Sequence, residues 1–135
     1  MPDAHTVVSL NVPREWLLTS NQRLSWRARA NRTSYLRDAA AWQARGWLAQ
    51  HRKTVTLPFP QRMAATAYLR FSTVRRDRDP ANWYPTVKAV VDGVVDAGVL
   101  LDDSNRYLLG PDMREAELKC AAGVAVQVLL VLRPA

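Results

Sequence analysis

Residues 6–12, TVVSLNV, are rich in β-branched side chains and stop at Pro13, which predicts a strand. From Arg14 to Arg32 neither period 2 nor period 3.6 is sustained, and the stretch reads as an extended basic loop. Thr33 or Ser34 can cap a helix running to about Arg52, because Leu36, Ala40, Gln43, Trp47 and Leu48 follow helical spacing while Arg37, Arg45 and Arg52 fall on the other side. The prolines of TLPFPQ mark a turn, and alternation over Met63–Val74 predicts a strand ending at an arginine cluster. A second helix starts around Pro85, with Val87, Val90, Val91, Val94 and Val95 at i, i+3, i+4, i+7 and i+8. Gly98 suits the left-handed position just past its end, and Val99-Leu100-Leu101 returns to the core. Arg106–Leu109 and Gly123–Leu132 are further strand candidates. The pattern predicts one α/β (α+β) domain with a small mixed β-sheet and two principal helices, and 135 residues suit a single core.

Composition adds a direction to this outline. Apolar residues make up 48% and charged residues 23%, the balance of a globular chain and not of a disordered one. The formal net charge of +7 draws polyanions, and the cations crowd between Arg14 and Lys53, where Glu15 and Asp38 are the only acids. Cys120 is the single cysteine, so neither an internal disulfide nor a cysteine-built zinc site is available within one chain. The N-terminal residues lack a signal-peptide pattern, and the apolar run Val124–Leu132 is too short to span a bilayer, so a cytoplasmic protein without a membrane partner is expected.

Within this basic chain, carboxylates gather at two points. Asp77 and Asp79 sit amid arginines, while Asp102 and Asp103 follow Gly98. Phosphodiester hydrolysis needs a nucleophilic water, charge neutralisation at phosphorus and help for the leaving oxygen, all of which carboxylate-held Mg²⁺ can supply. The i, i+2 spacing of Asp77 and Asp79 would put both on one side if the preceding strand persists. Lys88, near a helix start where backbone N–H groups also favour anions, is placed to steady a phosphate. The plainer alternative is a helix-surface pair between Lys88 and Asp92 and a solvated loop at Asp102-Asp103.

The arrangement resembles the RusA family of Holliday-junction resolvases, whose members look like D-x-D-N, then a lysine-bearing helix, then A-G-x-x-x-D-D. Lys88, Asp92 and Ala97-Gly98-Val99-Leu100-Leu101-Asp102-Asp103 match the latter half without gaps. Ser20-Asn21-Gln22-Arg23, followed by Trp26-Arg27, resembles the family's S-N-x-R stretch and its aromatic and basic continuation. The first acidic motif admits two registers. Either Asp77 and Asp79 form the D-x-D pair, or Asp79-Pro80-Ala81-Asn82 aligns with D-x-D-N and places Ala81 at the second aspartate; Trp83-Tyr84-Pro85 then looks like an insertion.

The resemblance implies a homodimeric endonuclease, dependent on Mg²⁺ or Mn²⁺, that resolves four-way DNA junctions in recombination and repair by paired nicks. Carried onto this chain, it makes Asp79 and Asp103 metal ligands, with Asp77 and Asp102 assisting as ligands or supports, and Lys88 a stabiliser of the phosphorane or nucleophile. DNA contacts are expected from Asn21, Arg23, Trp26, Arg27, Arg29, Arg32, Arg75, Arg76 and Asn82. Trp26 is divided between base stacking and core, while Trp42 and Trp47 are expected in the core. A different nuclease pattern, Pro111-Asp112 with Glu117-Leu118-Lys119, leaves too little chain for a hairpin between its halves. His5 and His51 lack ligand spacing and suit solvated or capping roles; Cys120 reads as a packed or partly buried thiol. A non-catalytic DNA-binding protein is the competing class, with its acidic residues serving solubility or capping.

Overall fold

The sheet is assembled from strands distant in sequence, its first strand lying beside its last. The computed structural model describes residues 3–73, 75 and 77–135. Its strands are β1 (His5–Val12), β2 (Met63–Arg70), β3 (Leu108–Glu115) and β4 (Val126–Pro134), and its α-helices are α1 (Trp26–His51) and α2 (Tyr84–Asp96). β4 pairs antiparallel with both β1 and β2, whereas β3 runs parallel to β2. The molecule is thus a single-domain α+β fold with a four-stranded mixed sheet and two helices.

Alternation dictates the core. Val126, Val128, Leu130 and Leu132 of β4 are buried, as are Met63, Ala65, Ala67 and Leu69 of β2. The two helices pack on each other; α1 also lies on β1, and α2 meets β1 and β4. The valine stripe of α2 enters this core, with Val87, Val90, Val91 and Val94 buried and Val95 half-buried. Burial of that stripe overrides the weak helix propensity of valine. Gly98 has φ +87° after the helix, the conformation its position demanded. No helix among the described residues is long and apolar enough to cross a membrane.

Several boundaries differ from the sequence expectation. Residues 14–32 are not one extended loop: Arg14–Trp16 form a 3-10 turn, and α1 begins at Trp26, earlier than Thr33 or Ser34. Ser25 supplies the cap, its side chain accepting from the Ala28 N–H at 3.1 Å. The buried residues of α1 begin only at Leu36, so its early turns carry no apolar stripe to reveal them. They are held instead by Arg29 and Arg32, which donate to the Gln22 and Leu17 carbonyls at 3.3 and 2.7 Å, and by Trp16 stacked on Tyr35 at 4.3 Å. Trp42 lies on solvent at 76% exposure, correcting its core assignment, whereas Trp47 is half-buried against Phe59 and His5. β2 ends at Arg70, β3 extends beyond Leu109 to Glu115, and β4 begins at Val126. His5 packs at the edge of Trp47, and His51 stacks on Trp47 while its Nδ1 donates to the Trp47 carbonyl at 2.8 Å.

Candidate functional site

The candidate site lies where three separated stretches meet at the start of α2. A 3-10 turn, Pro80–Trp83, leads directly into that helix. Asp79 heads it, its carboxylate accepting from the Ala81 N–H at 3.1 Å. The Ser20 N–H donates to the Asn82 carbonyl at 2.8 Å, which pins the Ser20–Arg23 stretch to this turn. Thr86, fully buried, clasps the same loop twice: its hydroxyl donates to the Leu18 carbonyl at 2.6 Å and accepts from the Leu18 N–H at 3.0 Å. Sequence reasoning passed over Thr86, since one threonine near a helix start gives no sign of a partner 68 residues away.

One turn further, Lys88 organises the carboxylates. Its ammonium donates to Asp92 and Asp103, each at 2.6 Å. Asp92 is reached along the helix at i+4, and Asp103 because the chain reverses at Gly98. Asp102 accepts from the Asp103 N–H at 2.8 Å and so fixes the backbone behind the carboxylate that Lys88 engages. Burial disfavours the charged ammonium, yet hydrogen bonds to Asp103 and Asp92 and their charges outweigh it, holding Lys88 above its ordinary pKa. The Lys88 hydrogen bond is also the main reason that Asp103 stays below the usual carboxylate range, against the opposing pull of burial.

The other predicted residues are placed differently. The strand does not persist beyond Arg70, so the i, i+2 argument for Asp77 and Asp79 does not apply. Asp77 occupies a turn, exposed, 3.3 Å from the Arg75 guanidinium. Asn21, Arg23, Trp26 and Arg27 are exposed, Trp26 at 78%, with the Arg27 guanidinium 5.7 Å from its ring centre. Arg29 and Arg32 are half-buried and hold loop carbonyls, and Asn82 is half-buried. Arg76 lies outside the described residues. Asp112 sits on β3 paired with Arg114 at 2.9 Å, while Glu117 and Lys119 lie beyond that strand. Cys120 is half-buried, its thiol 3.5 Å from the Val124 carbonyl.

The donor set tests the expected metal. Magnesium takes hard oxygen ligands, commonly one or two carboxylates completed by water and phosphate. Asp92 and Asp103, brought to one ammonium, meet that modest demand. Asp77 pairs with Arg75 and Asp79 caps the Pro80–Trp83 turn, and among the described residues no group of three or more His, Cys, Asp or Glu side chains is arranged to hold a metal ion. Asp92, which the four-aspartate expectation omitted, shares the Lys88 ammonium with Asp103. Its i+4 spacing from Lys88 was visible, but that spacing equally describes a surface ion pair. No protein-family model and no curated protein sequence matches the chain.

Proposed function

We propose that this protein is a metal-dependent endodeoxyribonuclease that nicks branched DNA, acting as a homodimer on four-way junctions in recombination and repair. One observation carries the reading: Lys88 joins Asp92 and Asp103 at 2.6 Å each, beside the turn headed by Asp79 and the loop bearing Arg23. These are the stretches on which the resemblance to RusA resolvases rests.

Asp92 and Asp103 would hold the Mg²⁺ or Mn²⁺, with Asp79 and Asp102 supporting from the adjoining turn and loop. The ion would neutralise phosphate charge and make bound water a better nucleophile. Lys88 offers a cation for the scissile phosphate and keeps Asp103 ionised as an oxygen donor. Arg23 and Arg27, exposed beside Trp26, position the backbone of the DNA. A two-fold dimer would present equivalent sites to opposed strands, which accounts for paired nicks.

The competing reading, a DNA-binding protein without nuclease activity, is favoured by the local engagement of Asp77 and Asp79. A labelled four-way junction separates the two. The nuclease reading expects Mg²⁺-dependent nicks that chelation stops; junction binding without nicking in Mg²⁺ or Mn²⁺ would overturn it.

A further inference from the structure

A cavity of about 420 Å³ opens beside the Pro80–Trp83 turn and is separate from the Lys88 carboxylates. Phe71, Arg78 and Trp83 form one part of its lining, and Arg14, Thr19 and Ser72 another. A smaller cavity of about 290 Å³ shares Arg14 and Ser72 with it, so the two adjoin around that pair.

The lining has a chemically divided character. The Arg78 guanidinium lies over the Phe71 ring at 3.9 Å, and Trp83 meets the same ring nearly edge-on at 4.9 Å. Arg78 is bound to Glu115 at 2.9 Å, with both side chains largely withdrawn from water. Its charge is thus compensated, and it serves as a flat wall. Arg14, by contrast, is exposed and pairs with no carboxylate among the described residues. Trp83 is half-buried, and its indole adds a second flat surface to the lining.

A fitting ligand therefore has a flat, neutral ring joined to an anion. We propose that this cavity binds one unstacked nucleotide of a DNA strand, the base against the Phe71–Arg78–Trp83 wall and the phosphate at Arg14. The volume lies within the range of small-molecule sites. Aromatic walls bind unpaired bases with little regard to sequence, and a guanidinium suits a phosphate. The proposal rests on the nucleic-acid reading above and extends it by giving the enzyme a place for a base displaced near the branch.

The test uses the indole N–H resonances of the ¹⁵N-labelled protein titrated with a short oligothymidylate. The Trp83 signal, assigned by its loss in Trp83→Phe or by elimination through the other four tryptophan variants, should shift saturably. Arg14→Ala should weaken that binding about tenfold. Ser72→Glu, which places a carboxylate beside Arg14 at an exposed position, should suppress the shift, whereas the similarly sized Ser72→Gln should retain it. A stationary Trp83 signal at saturating oligonucleotide, or equal behaviour of the Glu and Gln variants, would overturn the proposal. The junction-nicking assay distinguishes the two readings. Nicking with a stationary Trp83 signal removes only the nucleotide site; a charge-dependent Trp83 shift without nicking supports that site and removes the nuclease.

Discussion

Gly93 and Gly46 both lie inside α-helices, yet replacing each with alanine should change stability in opposite directions. Intrinsic propensity alone favours alanine over glycine by about 0.8–1.0 kcal/mol in a helix interior. At Gly46 nothing lies within 4 Å of an added Cβ, so Gly46→Ala should stabilise the fold by about that amount. Gly93 is buried where α2 packs against α1. A Cβ there would overlap the Arg37 carbonyl oxygen and approach the Ala41 nitrogen to 2.8 Å and the Ala40 Cβ to 2.9 Å, closer than the ordinary contact range of 3.4–4 Å.

Two of those obstacles are backbone atoms and cannot rotate aside, so the helices must separate. Overpacking of this kind costs about 1–3 kcal/mol. With two backbone clashes the cost falls in the upper half of that range, about 2–3 kcal/mol, so that after the propensity gain of about 1 kcal/mol Gly93→Ala should lose about 1–2 kcal/mol net. Because α2 carries Lys88 and Asp92 while Asp103 follows the reversal, the same displacement should loosen the carboxylate grouping and reduce nicking. Urea unfolding monitored by circular dichroism measures the effect as a change in midpoint at unchanged slope. A Gly93→Ala protein as stable as wild type, or more stable, would refute the close helix crossing; a Gly46→Ala protein that loses stability would refute the control.

Asp92→Asn and Asp103→Asn should each abolish Mg²⁺-dependent nicking while junction affinity stays near wild type or rises, whereas Asp77→Asn should remain active; full activity of Asp103→Asn would remove the proposed site. Asp103 has a lowered folded pKa, so its stabilising contribution is complete above the unfolded carboxylate value of about 3.9 and is lost as pH falls through the lower folded value. The thermal-midpoint difference between wild type and Asp103→Asn should therefore be steady near neutrality and close in strong acid, a trend that calorimetry across pH will check. Lys88 has the opposite sign: its contribution is complete below the ordinary lysine value and is lost as pH rises through the raised folded value. Arg23→Ala and Arg27→Ala should each flatten the salt dependence of junction binding by about one unit of slope, as measured by fluorescence anisotropy. Arg32→Ala should instead cost about 1 kcal/mol of stability, because this guanidinium holds the Leu17 carbonyl.

The second helix was legible because its valines repeat at helical intervals and Gly98 stands where a left-handed residue is required. The beginning of α1 was obscure for the converse reason. Trp26 through Tyr35 include no buried residue, and the supports for those turns are a serine cap and arginines reaching back to loop carbonyls. Strand β3 was only partly legible, since Gly110 and Pro111 interrupt the pattern and its pairing partner is β2, distant in sequence.

The candidate site divides along the same line. Local spacing places Lys88 and Asp92 on neighbouring turns in any helix, and this alone cannot separate a functional grouping from a surface pair. The structure adds the reversal at Gly98, which brings Asp103 to the same ammonium, and the Thr86 clasp that brings the Arg23 loop to the same end of α2. Both are consequences of chain return and not of local pattern. The alternating spacing of Asp77 and Asp79 had meaning only while β2 continued, and that strand ends at Arg70. In the proposed nuclease Asp79 would therefore act from the head of the Pro80–Trp83 turn, while Asp92 and Asp103 are the carboxylates that the Lys88 ammonium engages.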